Sequence, residues 1–177
     1  MSEENRRIRI VAVPGGVRPG HLTSKAMALV VDELGKQEDV AVDLIDPAQV
    51  ELALPGTAKD ASVADAMQQS VSTAARVIFA TPEYHGSFSS VIKLVIETLG
   101  FPSVLTGKAV ALVGVAAGGI GTIKALEHLR SVCSHVGAIV LPGPVSVASV
   151  HQAFDQEGNC LDPAIEKRLR GVVRGLS

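Results

Sequence analysis

Apolar and polar positions follow two alternating rhythms along the chain. Short apolar runs have the length of strands: "IRIVAV" (8–13), "VAVDLID" (40–46), "RVIFA" (76–80), "AVALVGVA" (109–116) and "AIVL" (138–141). Between and after them lie longer stretches whose apolar residues recur every three or four positions, the spacing of one helix face. These are "LTSKAMALVVDELGK", "VADAMQQSVSTAA", "SSVIKLVIETLG", "GTIKALEHLRSVCSHVG" and, last, "PAIEKRLRGVVRG". Thr23 or Ser24 is available to cap the first helix. Gly100 and Pro102 end the third helix, and Pro142 and Pro144 stop the fifth strand. Residues 47–62 read as a loop containing Pro, Gly and Ala.

Strand and helix alternating in this way imply right-handed crossovers and a parallel sheet with helices on both faces. The expected fold is α/β: a flavodoxin-like three-layer sandwich with a five-stranded parallel sheet in the order 2-1-3-4-5. A truncated dinucleotide-binding fold of another strand order is the alternative. No repeat, low-complexity tract or linker divides the sequence, so residues 1–177 are expected to form one domain.

Composition fits that picture. Hydrophobic residues make up 47% and charged residues 19%, which excludes a disordered chain. Aromatics are only 3%, so Val, Ile, Leu and Ala must build the core, as in a sheet buried on both faces. A net charge of −2 gives no basic excess for a nucleic-acid or anionic-membrane partner. The start, "MSEENRR", has no apolar signal core behind it. The longest uncharged apolar run, "AVALVGVAAGGIGTI", falls short of the roughly 18 residues of a membrane span. A cytoplasmic protein is expected. Cys133 and Cys160 are far apart, so neither a disulfide nor a zinc site is expected. His128 and His135 are seven apart, not the i, i+4 pair of a zinc helix, and no metal is expected. The G-x-S-x-G elbow of a serine hydrolase is missing.

In such sheets ligands bind beyond the C-terminal strand ends. Three loops emerge there. "PGGVRPGHLTS" offers backbone N–H groups at Gly15, Gly16 and Gly20, a positive charge on Arg18, and the hydroxyls of Thr23 and Ser24 at a helix N-terminus. It matches neither the P-loop nor the G-x-G-x-x-G spacing, and an ordinary glycine-rich turn accounts for it equally well. "TPEYHGS" holds the only tyrosine, Tyr84, between a stiff Pro82 and a permissive Gly86. It can wall a planar ligand, or Tyr84 can pack on its own loop. Glu83 and His85 form either an acid–base pair or two exposed turn residues. "GVAAGGIGT", with Gly114, Gly118, Gly119 and Gly121, can pass close over a ring or can be a tight turn.

Together these loops resemble the NADPH-dependent FMN reductase family, whose members include quinone, chromate and azo-dye reductases of the flavodoxin-like fold. The resemblance runs from the first strand to "ALEHLR" and "VLPGPV". Its most specific part is "TPEYHGSFSSVIKLVIETL", similar to the family's Pro-Glu-Tyr-Asn-Gly-Ser loop and following helix. Pro82, Glu83, Tyr84, Gly86 and Ser87 match, and His85 replaces the asparagine. The first loop is similar to the family's Gly-Ser-x-Arg-x-x-Ser-x-Asn phosphate-binding stretch. Gly15 and Arg18 match, while Gly16, His21 and Thr23 replace the two serines and the asparagine. Gly118 and Gly119 stand where the family lines the flavin, and Glu97-Thr98 replaces an aspartate-tryptophan pair.

The resemblance implies FMN as cofactor, NADPH or NADH as electron donor, and a small-molecule acceptor such as a quinone or flavin. Donor and acceptor would use one place in turn, in ping-pong fashion, and no side chain need act as nucleophile or base. The implied cofactor-binding residues are Gly15, Gly16, Arg18, His21, Thr23, Pro82, Glu83, Tyr84, His85, Gly86, Ser87, Gly118 and Gly119. A flavin- or nucleotide-binding module without turnover is the alternative. The third helix adds an expectation about assembly. Val91, Ile92, Leu94, Val95, Ile96 and Leu99 cover most of its circumference, and only Lys93 and Glu97 form a polar stripe. A partner subunit in a homodimer or homotetramer would cover the side away from the sheet. The C-terminal helix or the 47–62 loop could cover it instead.

Overall fold

Ile10, Val11, Ala12 and Val13 are each no more than 1% exposed. Successive strand residues point to opposite faces, so a strand buried at every position must be covered on both. The computed structural model describes residues 7–176 and shows that cover. The sheet's centre is β1 (Ile8–Pro14), β3 (Arg76–Tyr84) and β5 (Ala109–Val115). One edge is β2 (Val40–Leu44), and the other is shared by β6 (Ile139–Val140) and β7 (Val145–Val147). These strands pair in parallel in the order β2-β1-β3-β5-β6, with β7 also on β5. This is the expected doubly wound order.

The two faces divide the apolar residues by parity. Ile10 and Ala12 face α1 (Leu22–Leu34) and α6 (Pro163–Gly171), meeting Ala26, Met27, Val30, Leu34, Ile165 and Leu169. Val11 and Val13 face α2 (Ser62–Thr73), α3 (Ser90–Thr98) and α4 (Ile123–His135), meeting Val71, Ile92, Val95, Leu126 and Leu129. Three layers result. A one-turn helix, α5 (Val150–Ala153), and a 3-10 turn (Val172–Gly175) complete the C-terminal part.

Four local features differ from the pattern reading. The fifth strand does not end at Leu141. Pro142 and Pro144 lack the N–H a ladder needs, so pairing breaks, and then it resumes with Val113 opposite Val145. The third strand does not stop at Ala80 but runs on to Tyr84, and β4 (Ser87–Phe88) folds back on it. The first helix is capped by His21 rather than by Thr23 or Ser24. The final helix gives way to the 3-10 turn at Val172.

On α3 and its C-cap, Ile92, Val95, Ile96 and Leu99 are buried, whereas Val91 and Leu94 are only half-buried. Lys93 and Glu97 pair on the exposed stripe. Gln68 of α2 donates to the Thr98 carbonyl at 2.9 Å and holds the two helices together. No helix among the described residues is long and apolar enough to cross a membrane.

Candidate functional site

The loops after β1, β3 and β5 emerge side by side because their strands are neighbours in the sheet. Their glycines have different tasks. Gly15 is buried, its N–H donates to the Ala80 carbonyl at 2.6 Å, and a Cβ there would lie 2.3 Å from Ile92 Cγ1. It brings the first loop down onto α3 and has no donor left for a ligand. The N–H groups of Gly16, Val17 and Arg18 have no acceptor among the described residues, nor do those of Leu22 and Thr23 at the start of α1. Thr23 is 2% exposed, and among the described residues its hydroxyl has no hydrogen-bond partner. Unpaired backbone donors at a strand end and a helix N-terminus are the means by which proteins hold an anion. Gly20 sits in the left-handed region at φ 67, turning the chain into the helix.

His21 occupies the same corner. Its Nδ1 accepts from the Ser24 N–H at 3.2 Å, and its Nε2 lies 2.8 Å from Ser24 Oγ. The ring rests against Gly16, where a Cβ would lie 2.5 Å from Nδ1. Burial pulls the His21 pKa below its ordinary value, and Asp46 opposes this without cancelling it.

The second loop is a hairpin turn. His85 and Gly86 are its two central residues, at φ 51 and 74, the positive pair of a type I′ turn that Asn-Gly usually fills. His85 thus replaces a turn-forming residue, and histidine tolerates this conformation better than most side chains. Tyr84 is half-exposed, and the Arg18 guanidinium lies 5.5 Å from its ring centroid, joining the first two loops. Glu83 and His85 do not form a pair. Glu83 Oε2 accepts from the Ala125 N–H at 3.4 Å, at the N-terminal end of α4, and His85 is exposed. Ser87 Oγ lies 3.0 Å from His128 Nδ1 on α4. Pro82 is buried in the strand, and a Cβ on Gly86 would lie 3.7 Å from Lys124 Cδ.

In the third loop Gly114 and Gly121 serve packing. A Cβ on Gly114 would meet Thr122 Oγ1 at 2.1 Å, and one on Gly121 would meet Ser146 Oγ at 2.5 Å. Gly118 and Gly119 face open space, and Ile120 and Ile123 beside them are 86% and 60% exposed. The open space at Gly118 and Gly119 and the exposed Tyr84, Ile120 and Ile123 leave uncovered apolar surface that suits a planar ring.

Sequence reasoning missed what locks this arrangement. Ser89 caps α3 by accepting from the Ile92 N–H at 3.2 Å, and its hydroxyl donates to the Gly15 carbonyl at 2.7 Å. Thr81 Oγ1 accepts from the Ser89 N–H at 3.0 Å. A serine just before an apolar helix was the available signal for the cap, but its contact with Gly15 was not legible. Cys133 lies on the buried face of α4, with its thiol pushed up to about 12 by burial, and is chemically quiet. Among the described residues no group of three or more His, Cys, Asp or Glu could hold a metal ion.

Residues 8–152 match the family described as NADPH-dependent FMN reductase. The chain belongs to this family. Its relatives include an NAD(P)H-dependent FMN reductase of Pseudomonas aeruginosa, 28% identical over 183 residues, which cover 96% of this chain and 93% of that one. A 2-hydroxy-1,4-benzoquinone reductase of a Burkholderia species is 28% identical over 168 residues, covering 92% and 91%. Among solved structures, the flavoenzyme NAD(P)H:(acceptor) oxidoreductase FerB of Paracoccus denitrificans aligns with a TM-score of 0.79 at 22% identity, over 95% and 94% of the two chains. At that identity the likeness establishes the flavodoxin-like fold. With the family come its class, an NAD(P)H-dependent oxidoreductase, and its cofactor, FMN. The residues fit such a group: unpaired N–H donors and the Thr23 hydroxyl at one end, and the bare Gly118–Gly119 shelf with Tyr84 at the other.

Proposed function

We propose that this FMN reductase family member passes hydride from NADPH or NADH, by way of bound FMN, to a quinone, a flavin or a similar small acceptor. The observation that carries the reading is the meeting of three loops. They pair an anion corner, made by the N–H groups of Gly16, Val17 and Arg18 with Thr23, with a bare apolar shelf at Gly118 and Gly119. FMN, when bound, supplies a ring that can take up and give back hydride. The chain's residues bind and orient. Gly15 and Ser89 set the depth of the first loop, Arg18 and Tyr84 close one side, and Pro82, Glu83, His85, Gly86 and Ser87 shape the hairpin wall. Val17, Tyr84, Ile120 and Ile123 leave the shelf open to solvent, so donor and acceptor can occupy it in turn. A quinone acceptor is supported by the benzoquinone reductase relative. The half-buried Val91 and Leu94 of α3 support a homodimer or homotetramer.

The test is NADPH consumption by the FMN-loaded protein with a benzoquinone. Alternating-donor kinetics giving parallel double-reciprocal lines is the expected result. FMN retained without NAD(P)H oxidation would make the chain a binding module.

A further inference from the structure

His21 and Gly16 fit each other. The imidazole lies in the volume that any side chain on residue 16 would need, with only 2.5 Å between its Nδ1 and a Cβ built there. Nδ1 accepts from the Ser24 N–H, so that nitrogen carries no proton, and Nε2–H is left to donate to Ser24 Oγ at 2.8 Å. The Ser24 N–H is shared between Nδ1 and the His21 carbonyl, at 3.2 and 3.1 Å, so the neutral ring covers a helix-end donor that is paired within the chain. Around it, Gly16, Val17, Arg18, Leu22 and Thr23 keep unpaired N–H groups, so the corner is only partly closed. Few other charges act on the ring. Asp46, just beyond β2, is the charged group that acts on it from another element. Arg18 is turned to Tyr84, and Lys25, further along α1, is held by the carbonyls of Asp155 and Gln156.

We propose that His21, admitted by Gly16, is the residue that sets the affinity of this chain for the phosphate group of FMN. In its neutral form it caps the end of α1, and in its protonated form it adds a positive charge that receives the phosphate. The inference rests on FMN being the ligand. A single proton on Nδ1 does two things. It removes the lone pair that accepts from Ser24, whose N–H keeps the His21 carbonyl as partner at 3.1 Å, and it places a positive charge beside the unpaired donors. Burial holds the free ring neutral below the ordinary histidine range, whereas a bound phosphate would favour the charged form. FMN binding then takes up a proton at pH values between the two pKa values of His21, and FMN binds more tightly as pH falls through that window.

Two measurements test this. The first follows the His21 ring by NMR as a function of pH, with and without FMN. The expected result is a midpoint that rises when FMN is added, and an unchanged midpoint overturns the proposal. The second titrates FMN by flavin fluorescence between about pH 5.5 and 8.5, with riboflavin as the ligand lacking phosphate. The proteins are the natural chain, His21→Asn, which keeps a good helix cap, and Gly16→Ser with His21→Ser. In the window the natural chain should gain up to about tenfold in FMN affinity per pH unit relative to His21→Asn, as uptake of one proton dictates. The phosphate's own ionisation acts on both alike, and riboflavin should show no such difference. Equal FMN pH profiles for the natural chain and His21→Asn overturn the proposal, as does FMN binding by the double-serine chain alone. If none of the folded proteins binds FMN at any pH, the flavin reading itself falls, and this inference with it.

Discussion

Gly15, Gly16, Gly114 and Gly118 look alike in the sequence but differ in what lies opposite them: Ile92, the His21 ring, Thr122 and open space. Glycine-rich loops were therefore legible as a group, at the strand ends where the fold would use them, while the task of each glycine depended on partners up to 77 residues away. Tyr84 was legible for the opposite reason. A lone tyrosine after an apolar run has no periodic segment to explain it, and the structure puts it at the end of β3, beside Arg18. Tyr84→Ala should weaken FMN binding about five- to tenfold, the worth of one stacking or cation–π contact of roughly 1 kcal/mol. Turnover at saturating FMN should persist, since no proton or electron passes through the phenol. FMN fluorescence titration alongside NADPH oxidation checks this, and total loss of turnover with full flavin occupancy would contradict it.

At the scale of elements, the hairpin shows how a substitution can keep a structure. His85 and Gly86 need positive φ, and the family's asparagine at the first position is the commoner way to meet that need. His85→Asn should be neutral or slightly stabilising. His85→Val, a β-branched residue forced into the left-handed region, should cost about 1–3 kcal/mol in urea unfolding. The hairpin escaped the sequence reading because Pro82 and Gly86 signal a loop, and only the pairing of Glu83 with Phe88 makes a strand of it. The broken fifth strand escaped because prolines read as a stop and "VSV" is too short to read as a strand of its own.

A second link joins α1 to α6. Arg170 reaches Asp32 at 2.5 Å, Glu33 at 3.2 Å and Glu166 at 2.8 Å. Arg170 holds the Asp32 carboxyl below its usual range, and Lys36 does the same for Glu33. Carboxyls with lowered folded pKa values add stability above their unfolded value of about 4 and lose it as pH falls through the folded values. Arg170→Gln should therefore lower the thermal midpoint at pH 7, and the deficit should shrink towards pH 3 and in high salt. Scanning calorimetry measures both.

For the molecule as a whole, the doubly wound order was legible because burial on both faces leaves nearly continuous apolar strands, and helix and strand periods alternate without interruption. Assembly was less legible. The apolar circumference of α3 pointed to a partner, but Ile92, Val95, Ile96 and Leu99 are used within the chain, leaving Val91 and Leu94 as the partly open face. If that face joins two subunits, Leu94→Glu should halve the mass seen by analytical ultracentrifugation while the far-UV spectrum stays unchanged. An unaltered mass would place the interface elsewhere. The central claim is that the loops after β1, β3 and β5 hold one FMN, and a visible absorption spectrum tests it most directly. The protein is mixed with FMN, freed of excess, and its bound flavin counted. The account predicts a yellow protein carrying close to one equivalent of FMN per chain. A colourless protein that shows no binding on FMN titration across the pH range would contradict it.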